Sequence, residues 1–591
     1  MGKFWTICLM LFYITASSNG IDFYPDKARY SPGNEVRLIC TLPLDTHQYP
    51  SQIKIRITPP LESPAWEFST TLAYGSDTVI IVSWLSPLQD FQGYLAELHL
   101  QDNLGNTQTR TTGIDISSDW KKFPRYGFLA HFNKGIDTRA WINELNKYHL
   151  NGLQFYDFQY KHHQPLAGTV ASPQYEWKDI AGREISGKTI QEFIQNAHNK
   201  NMMAFAYNAS YATYADAFQD HSGVSLTWGA WSDPTAQRIE STLKSYGPFP
   251  ESWSTPRLLF MNQNHPDWQR YIFSQMSTLF AIYPFDGWHI DTYGDRGAYD
   301  YMGEPIDYIG GFQSFTNKAK SFLNKRILFN TVAGAGQQSI ANSQADFVYS
   351  ELWENHGTYL DILRAADEIH AANQEMGIVF PAYLHKPLSN QMKPGTVRFF
   401  NPASVLLADA VMFASGASHL ELGDDLRMLS TEYFPDTGKL VMSSELRESL
   451  RTYYDFLVIY QTILRDHCIP AKISVHSDTV KMDKANKPGK VWYFAREKNN
   501  LKILHFINLT GLTQNKWRDD QAEYPEVPLL SNFNIKFSSS HPVTQIFLAT
   551  PDFNQGRPLS LKFHQHQIRK GHYQIICTIP QLKYWDVLII K

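Results

Sequence analysis

The feature that most constrains the fold is a change of rhythm near residue 120. From there to about residue 465, short apolar runs alternate with stretches of helical periodicity. Residues 126–132 (YGFLAHF) read as a buried strand. Residues 138–150 then put Trp141, Ile142, Leu145 and Tyr148 on one helical face, and Gly152 is expected to stop that helix. A second strand falls at 153–156. Ile190, Phe193, Ile194 and Ala197 mark another amphipathic helix, and a third strand follows at 202–207. Further strands are expected at 285–291, 326–330, 347–351, 378–383 and 410–414. Eight strands, each followed by helical sequence, imply parallel βαβ units. Eight units over about 300 residues fit a (β/α)8 TIM barrel better than an open doubly wound sheet. No Gly-rich nucleotide fingerprint follows any strand, which disfavours the open sheet further.

On either side the pattern is period two. Val36, Leu38 and Cys40 alternate with polar neighbours, as do Ile53, Ile55 and Ile57, and again Tyr94, Ala96, Leu98 and Leu100. Residues 21–117 therefore read as an immunoglobulin-like β-sandwich. Alternation resumes at 491–495, 501–507, 573–577 and 584–590, after a long helix at about 443–465. The expected architecture is thus multidomain α/β: a β-sandwich at 21–117, the barrel at 118–466 and a C-terminal β-sandwich at 467–591. The 591-residue length suits several cores rather than one.

The first twenty residues read as an export signal. Lys3 is followed by an apolar run over 7–16, and small residues at 16–20 offer a cleavage site. The run is too short to span a bilayer, and no later stretch is long enough, so the expectation is an exported protein, periplasmic or secreted. Cys8 falls inside that signal. The three remaining cysteines, Cys40, Cys468 and Cys577, have neither disulfide-framework nor metal-ligand spacing. A net charge of -4 without long basic runs argues against nucleic acid or anionic membrane as the main partner.

In a barrel, catalytic groups sit at the C-terminal ends of strands. Those ends read Tyr156-Asp157, Tyr207-Asn208, His289-Ile290-Asp291, Asn330 and Tyr349-Ser350-Glu351, with His419 and Glu421 after the eighth. No Cys/His cluster and no Gly-x-Ser-x-Gly elbow joins them, so metal-dependent and serine-nucleophile hydrolysis find no support. What remains is carboxylates, the equipment of glycoside hydrolysis: one attacks or activates water, the other protonates the leaving oxygen. Asp291 is the first of the pair, with the alternative of capping a turn. Glu351 is favoured as the second over Glu354, which lies beyond the strand. Aromatic residues make up 14% of the chain, with 15 Trp and 32 Tyr. They suit either large cores or sugar stacking. The long segment 208–285 carries Trp228, Trp231 and Trp253, as a cleft wall or as the core of its own loop.

As a set these segments resemble glycoside hydrolase family 66, the dextranases and cyclodextran-forming glucanotransferases. The resemblance covers about 120–465. It rests on FPRYGFL (123–129), FYDFQYKHH (155–163), GREIS (182–186), MMAFAYNASY (202–211), FDGWHID (285–291) and YSELW (349–353). It implies Asp291 as nucleophile and Glu351 as acid/base, acting by double displacement on an α-1,6-glucan such as dextran or isomaltooligosaccharides. The two carboxyl groups of such a pair stand roughly 5–5.5 Å apart, and Asp291's charge is expected to keep Glu351 protonated near neutral pH. Asp157, Asn208 and His289 are candidates to bond the sugar, or polar residues satisfied within the sheet. Tyr211 and Trp353 are candidates to stack on a glucose ring. Glu421 is expected either to bind substrate or to brace Arg427. His162 and His163 lack metal spacing, and neither a metal nor an organic cofactor is called for. The rivals are cyclodextran-forming transfer, for which the short 383–401 connection leaves no room for an inserted binding module, and a glycan-binding surface protein without catalysis.

Overall fold

The computed structural model describes residues 20–42, 50–71, 79–102, 104–393, 395–431 and 440–591; apart from Gly20, the expected export signal lies outside them. The protein is a mixed α/β, strand-rich structure built around one curled, largely parallel sheet. Strands β1 (Tyr126–Leu129), β2 (Gly152–Phe155), β3 (Met203–Ala209), β4 (Gly287–Asp291), β5 (Arg326–Asn330), β6 (Phe347–Tyr349) and β7 (Gly377–Pro381) lie side by side in chain order, every pairing parallel. The segment 418–423 then serves both edges. Strand β8 (Ser418–Leu420) pairs with β7, and its continuation Leu422–Gly423 meets β1 through Gly423 and Phe128. Only glycine allows that approach, because a Cβ on Gly423 would stand 2.4 Å from the Phe128 carbonyl oxygen.

Aromatic side chains fill the inside of the curl. Trp120, in the turn before β1, lies 5.1 Å from both Phe205 and Phe347, ring centre to ring centre. This explains Gly152, where the sequence reading was wrong. The helix Thr138–Asn146 has already ended at Lys147, and His149 turns the chain with φ of 55°. Gly152 instead opens β2, where any Cβ would fall 2.2 Å from the Trp120 ring.

A second correction concerns 410–414, read as the eighth strand. These residues end a helix, Pro402–Ala414, in which nearly every side chain is buried. A continuous apolar run cannot by itself separate a buried strand from a helix buried all round. Here the helix lies between helices Tyr359–Ala372 and Ser444–Ile459 and against strand Leu501–Asn508 of the C-terminal sheets. The strand position belongs to β8.

The alternating segments form strands that bury one face. The described residues within 22–116 form two antiparallel sheets, of three and four strands, and the core between them holds the alternating apolar residues of this region named above. The C-terminal part forms two mostly antiparallel sheets around a core of their own, with Val491–Lys498, Leu501–Asn508 and Trp585–Ile590 in one and Leu530–Ser539 and His572–Leu582 in the other. Cys40, Cys468 and Cys577 are free thiols. Among the described residues no helix is long and apolar enough to cross a membrane.

Helix Ser444–Ile459 joins the three regions. Asp455 accepts from the Thr112 hydroxyl (2.8 Å), the Gly113 amide (2.7 Å) and the His149 ring (2.7 Å), while the Tyr453 hydroxyl donates to Asp552 (2.7 Å). Nearby, Arg125 and Asp115 form a fully buried ion pair at 2.7 Å, with Gln461 donating to the same carboxylate.

Candidate active site

The C-terminal ends of β3 to β7 bring two carboxylates and their donors together. Asp291 ends β4. One of its oxygens accepts from the Tyr207 hydroxyl (2.7 Å), and the other from the Asn330 amide (2.8 Å) and the Thr292 backbone N–H (2.9 Å). Glu351 lies two residues beyond the last residue of β6 and accepts from the Trp353 indole N–H (3.0 Å) and the Tyr383 hydroxyl (2.9 Å). Both carboxylates are partly exposed, whereas Tyr207, Asn330 and Tyr383 are buried, so the acids face the cleft and their donors are fixed behind them.

Burial raises the pKa of both acids. For Glu351 the charge of Asp291 adds to it, pushing the group up to about 7 against the pull of Trp353, Tyr383 and Asn330. Asp291 is also raised by burial, opposed by Tyr207, Asn330 and Thr292. With three donors aimed at its two oxygens, Asp291 ionises first and Glu351 holds the proton. Asn330 acts on both carboxylates. Glu354 differs on every count: its side chain is 81% exposed, it pairs with Arg518 at 2.9 Å, and its pKa is lowered.

The other candidates divide. Tyr211 lines a small cleft with Gln263, Tyr293 and Arg296; its ring lies 5.7 Å from that of Tyr293, and the charge of Asp291 reaches its hydroxyl. Trp353 touches Glu351 as above, with its ring 5.3 Å from Tyr383 and the Lys386 ammonium 4.3 Å from its centre. Asp157 lies two residues beyond β2 in the left-handed region, φ 46°, and its carboxyl is raised to about 8 by burial, with Asp179 and then Asp291 adding to it. Asn208 is fully buried and donates to the His162 carbonyl at 2.8 Å.

Three candidates are not with the carboxylates, and Asn208, on the face of β3 opposite Tyr207, is the first. His289 lies one strand step below Asp291, fully buried, 3.2 Å from the Tyr126 hydroxyl and parallel to that ring. Burial lowers it to about 3, so it is a neutral interior histidine. Glu421 points away from the cleft. It is fully buried with His419 and Asp409, accepting from the Tyr454 hydroxyl at 3.0 Å. On β8, residues 419 and 421 face the surrounding helices. Tyr207, Asn330 and Tyr383 were missed as ligands of the pair, although Tyr207 and Asn330 stand at strand ends.

The tryptophans of the 208–285 segment mainly pack. Trp231 is fully buried with Leu243 and Leu259 in a small core of its own. Trp228 lies among Trp268, Tyr271 and His265, and Trp253 stacks on Phe249 at 4.6 Å. A cavity of about 790 Å3 opens at the other end of the sheet beside Phe91, Lys122, Glu375 and Asp466 and contains none of these groups.

A family model described as glycosyl hydrolase family 66 matches residues 25–589. A cycloisomaltooligosaccharide glucanotransferase of Niallia circulans is 26% identical, over 98% of this chain and 72% of its own. A dextranase of Streptococcus salivarius is 23% identical, over 88% of this chain and 70% of its own. The crystal structure of a Paenibacillus sp. cycloisomaltooligosaccharide glucanotransferase, complexed with cycloisomaltoheptaose, superposes with a TM-score of 0.87 at 26% identity, covering 96% of this chain and 99% of that one.

Proposed function

The chain belongs to glycosyl hydrolase family 66, and from that premise we propose that it hydrolyses α-1,6-glucosidic bonds within dextran-type glucans, with retention, through Asp291 and Glu351. The observation that carries this reading is the unequal carboxylate pair: one acid held ionised by three donors, the other held protonated to about pH 7 and open to the same cleft. An Asp291 oxygen attacks the anomeric carbon while Glu351 gives its proton to the departing O6, leaving a glycosyl ester and a Glu351 carboxylate. Glu351 then takes a proton from water, whose oxygen displaces Asp291 and restores the α configuration. The donors on Asp291 steady the carboxylate before attack and after release. We read Tyr211 and Trp353 as the rings that stack on glucose and Asp157 as part of the polar floor beneath.

We read the curled sheet, whose last segment bonds to both edges, as a (β/α)8 barrel with an immunoglobulin-like sandwich before it and a second sandwich after it, dividing near 117 and 466. We read residues 1–20 as an export signal. The reaction calls for no metal or organic cofactor. Hydrolysis is favoured over cyclisation by what this chain lacks relative to the glucanotransferase. The 721 aligned positions exceed this chain's 591 residues, so that relative has segments with no counterpart here. Release of reducing ends from dextran, with a fall in viscosity early in the digest, tests the proposal. Cyclic products without reducing ends would favour transfer, and binding without turnover would favour a glycan-binding surface protein.

A further inference from the structure

The acid/base loop is held partly from outside the central sheet. Between strands Leu501–Asn508 and Leu530–Ser539 the chain leaves its own sheets and crosses the loops that follow β6 and β7. It bonds them almost residue by residue. The Tyr359 amide donates to the Asn515 carbonyl (3.1 Å), Trp517 to the Gly357 carbonyl (3.3 Å), His385 to the Arg518 carbonyl (3.1 Å) and Leu388 to the Asp520 carbonyl (3.1 Å). Trp517 is fully buried there, its indole donating to the His356 carbonyl.

Arg518 reaches furthest toward the carboxylates. One guanidinium nitrogen donates to the Leu352 carbonyl at 3.1 Å, and another pairs with Glu354 at 2.9 Å. Its carbon lies 5.9 Å from the centre of the Trp353 ring and 4.9 Å from that of Trp517. Leu352 stands between Glu351 and Trp353, and its amide donates to the Pro381 carbonyl at 3.1 Å. The peptide after Glu351 is thus fixed by β7 on one side and by Arg518 on the other. The indole so positioned is one of the two donors on the Glu351 carboxylate.

We propose that Arg518 is a positioning residue for Glu351: it fixes the Leu352–Trp353 backbone so that the indole N–H stays on the carboxylate, which makes the C-terminal sheets a working part of the site. This rests on Glu351 as acid/base. Losing the indole donor, and a nearby positive charge, both favour the protonated acid. The proton then leaves at higher pH, and the acid is less well aimed at the leaving oxygen.

The test is Arg518→Met, which keeps the stem against Trp517 but removes charge and donors. On dextran, kcat should fall roughly tenfold with KM within about threefold, the size of losing one charge-assisted hydrogen bond. The alkaline limb of kcat/KM should move up by about half a pH unit or more. A glycosyl fluoride, which needs little protonation, should lose much less, and Arg518→Lys should recover part of the loss. Glu354→Gln, on the surface, removes the guanidinium's counter-charge without touching the core, so it should move the limb the opposite way, downward, and by less. An unmoved limb in folded Arg518→Met, or equal losses on dextran and fluoride, overturns the proposal. Should Arg518→Met fail to fold, an unmoved limb in Glu354→Gln does so. Failure of the underlying reading looks different: Glu351→Gln acting on the fluoride would keep the wild-type alkaline limb.

Discussion

Replacing Glu351 by Gln should stabilise the protein at alkaline pH and not at acid pH. In the folded chain Glu351 holds its proton to about pH 7, against an ordinary value of 4.5. Below the ordinary value the group is protonated in both states and contributes nothing. As pH rises toward 7 the unfolded chain releases the proton while the folded chain keeps it, so unfolding gains about 1.4 kcal/mol per pH unit. Above 7 the penalty is constant, with a ceiling of about 3 kcal/mol that cleft water lowers toward about 1–2 kcal/mol. Gln carries no such penalty. Its amide must face either the Trp353 or the Tyr383 donor with an N–H, a cost of about 1 kcal/mol that is the same at every pH. The informative quantity is therefore the change with pH in the difference between variant and wild type. At about 1 °C per kcal/mol for a chain of this size, scanning calorimetry should show Glu351→Gln gaining about 1–3 °C relative to wild type between pH 4.5 and pH 8.5. A melting difference that does not change with pH would refute the claim that Glu351 is an acid ionising late beside Asp291.

Asp291→Asn should abolish dextran hydrolysis while leaving the melting temperature within a few degrees of wild type; activity within tenfold of wild type would remove Asp291 as nucleophile. Glu351→Gln, charged with a glycosyl fluoride in the presence of azide, should release an α-glycosyl azide by NMR, whereas a β-azide would mean single displacement. Asn330→Ala removes one donor on Asp291 and a contact to Glu351. It should lower kcat/KM by about 10- to 100-fold, the worth of a hydrogen bond to a charged group, and a loss under threefold would show that Asn330 is a bystander.

Much of this was legible in the sequence because the physics behind it is periodic. The antiparallel flanks bury one face, so alternation named their core residue by residue, and β5 falls on 326–330 as read. The central strands are covered on both sides, so their sequences do not say which face looks inward. That is why Glu421, on the outward parity of β8, and His289, inward but one step too deep, were both drawn to the site. The same lack of contrast turned the buried helix ending at Ala414 into a strand, although Asn401-Pro402 carries the signature of a helix start. Asp291 and Glu351 stood out because a carboxylate closing an apolar strand is costly unless it is used or paired. Their donors did not, because Tyr383 and Trp353 look like any other aromatic residue until the loops are folded. Nothing local to 509–529 indicates that Arg518 would stand beside the Glu351 loop, more than 150 positions away.

The boundaries at 117 and 466 mark changes of pattern, yet they are poor places to cut. The inner surface of the N-terminal sheet is polar where it meets helix Ser444–Ile459, with Asp455 serving two strand groups and a histidine from a third segment. A truncation at 117 would leave that carboxylate without two of its three donors and the buried guanidinium of Arg125 without its counter-charge. Contact is close as well, since a Cβ on Gly93 would fall 2.0 Å from the Val458 carbonyl oxygen. Shorter versions of this enzyme should therefore express as aggregates rather than as minimal catalysts, and insertions or deletions during its descent would survive in surface loops and not at these seams.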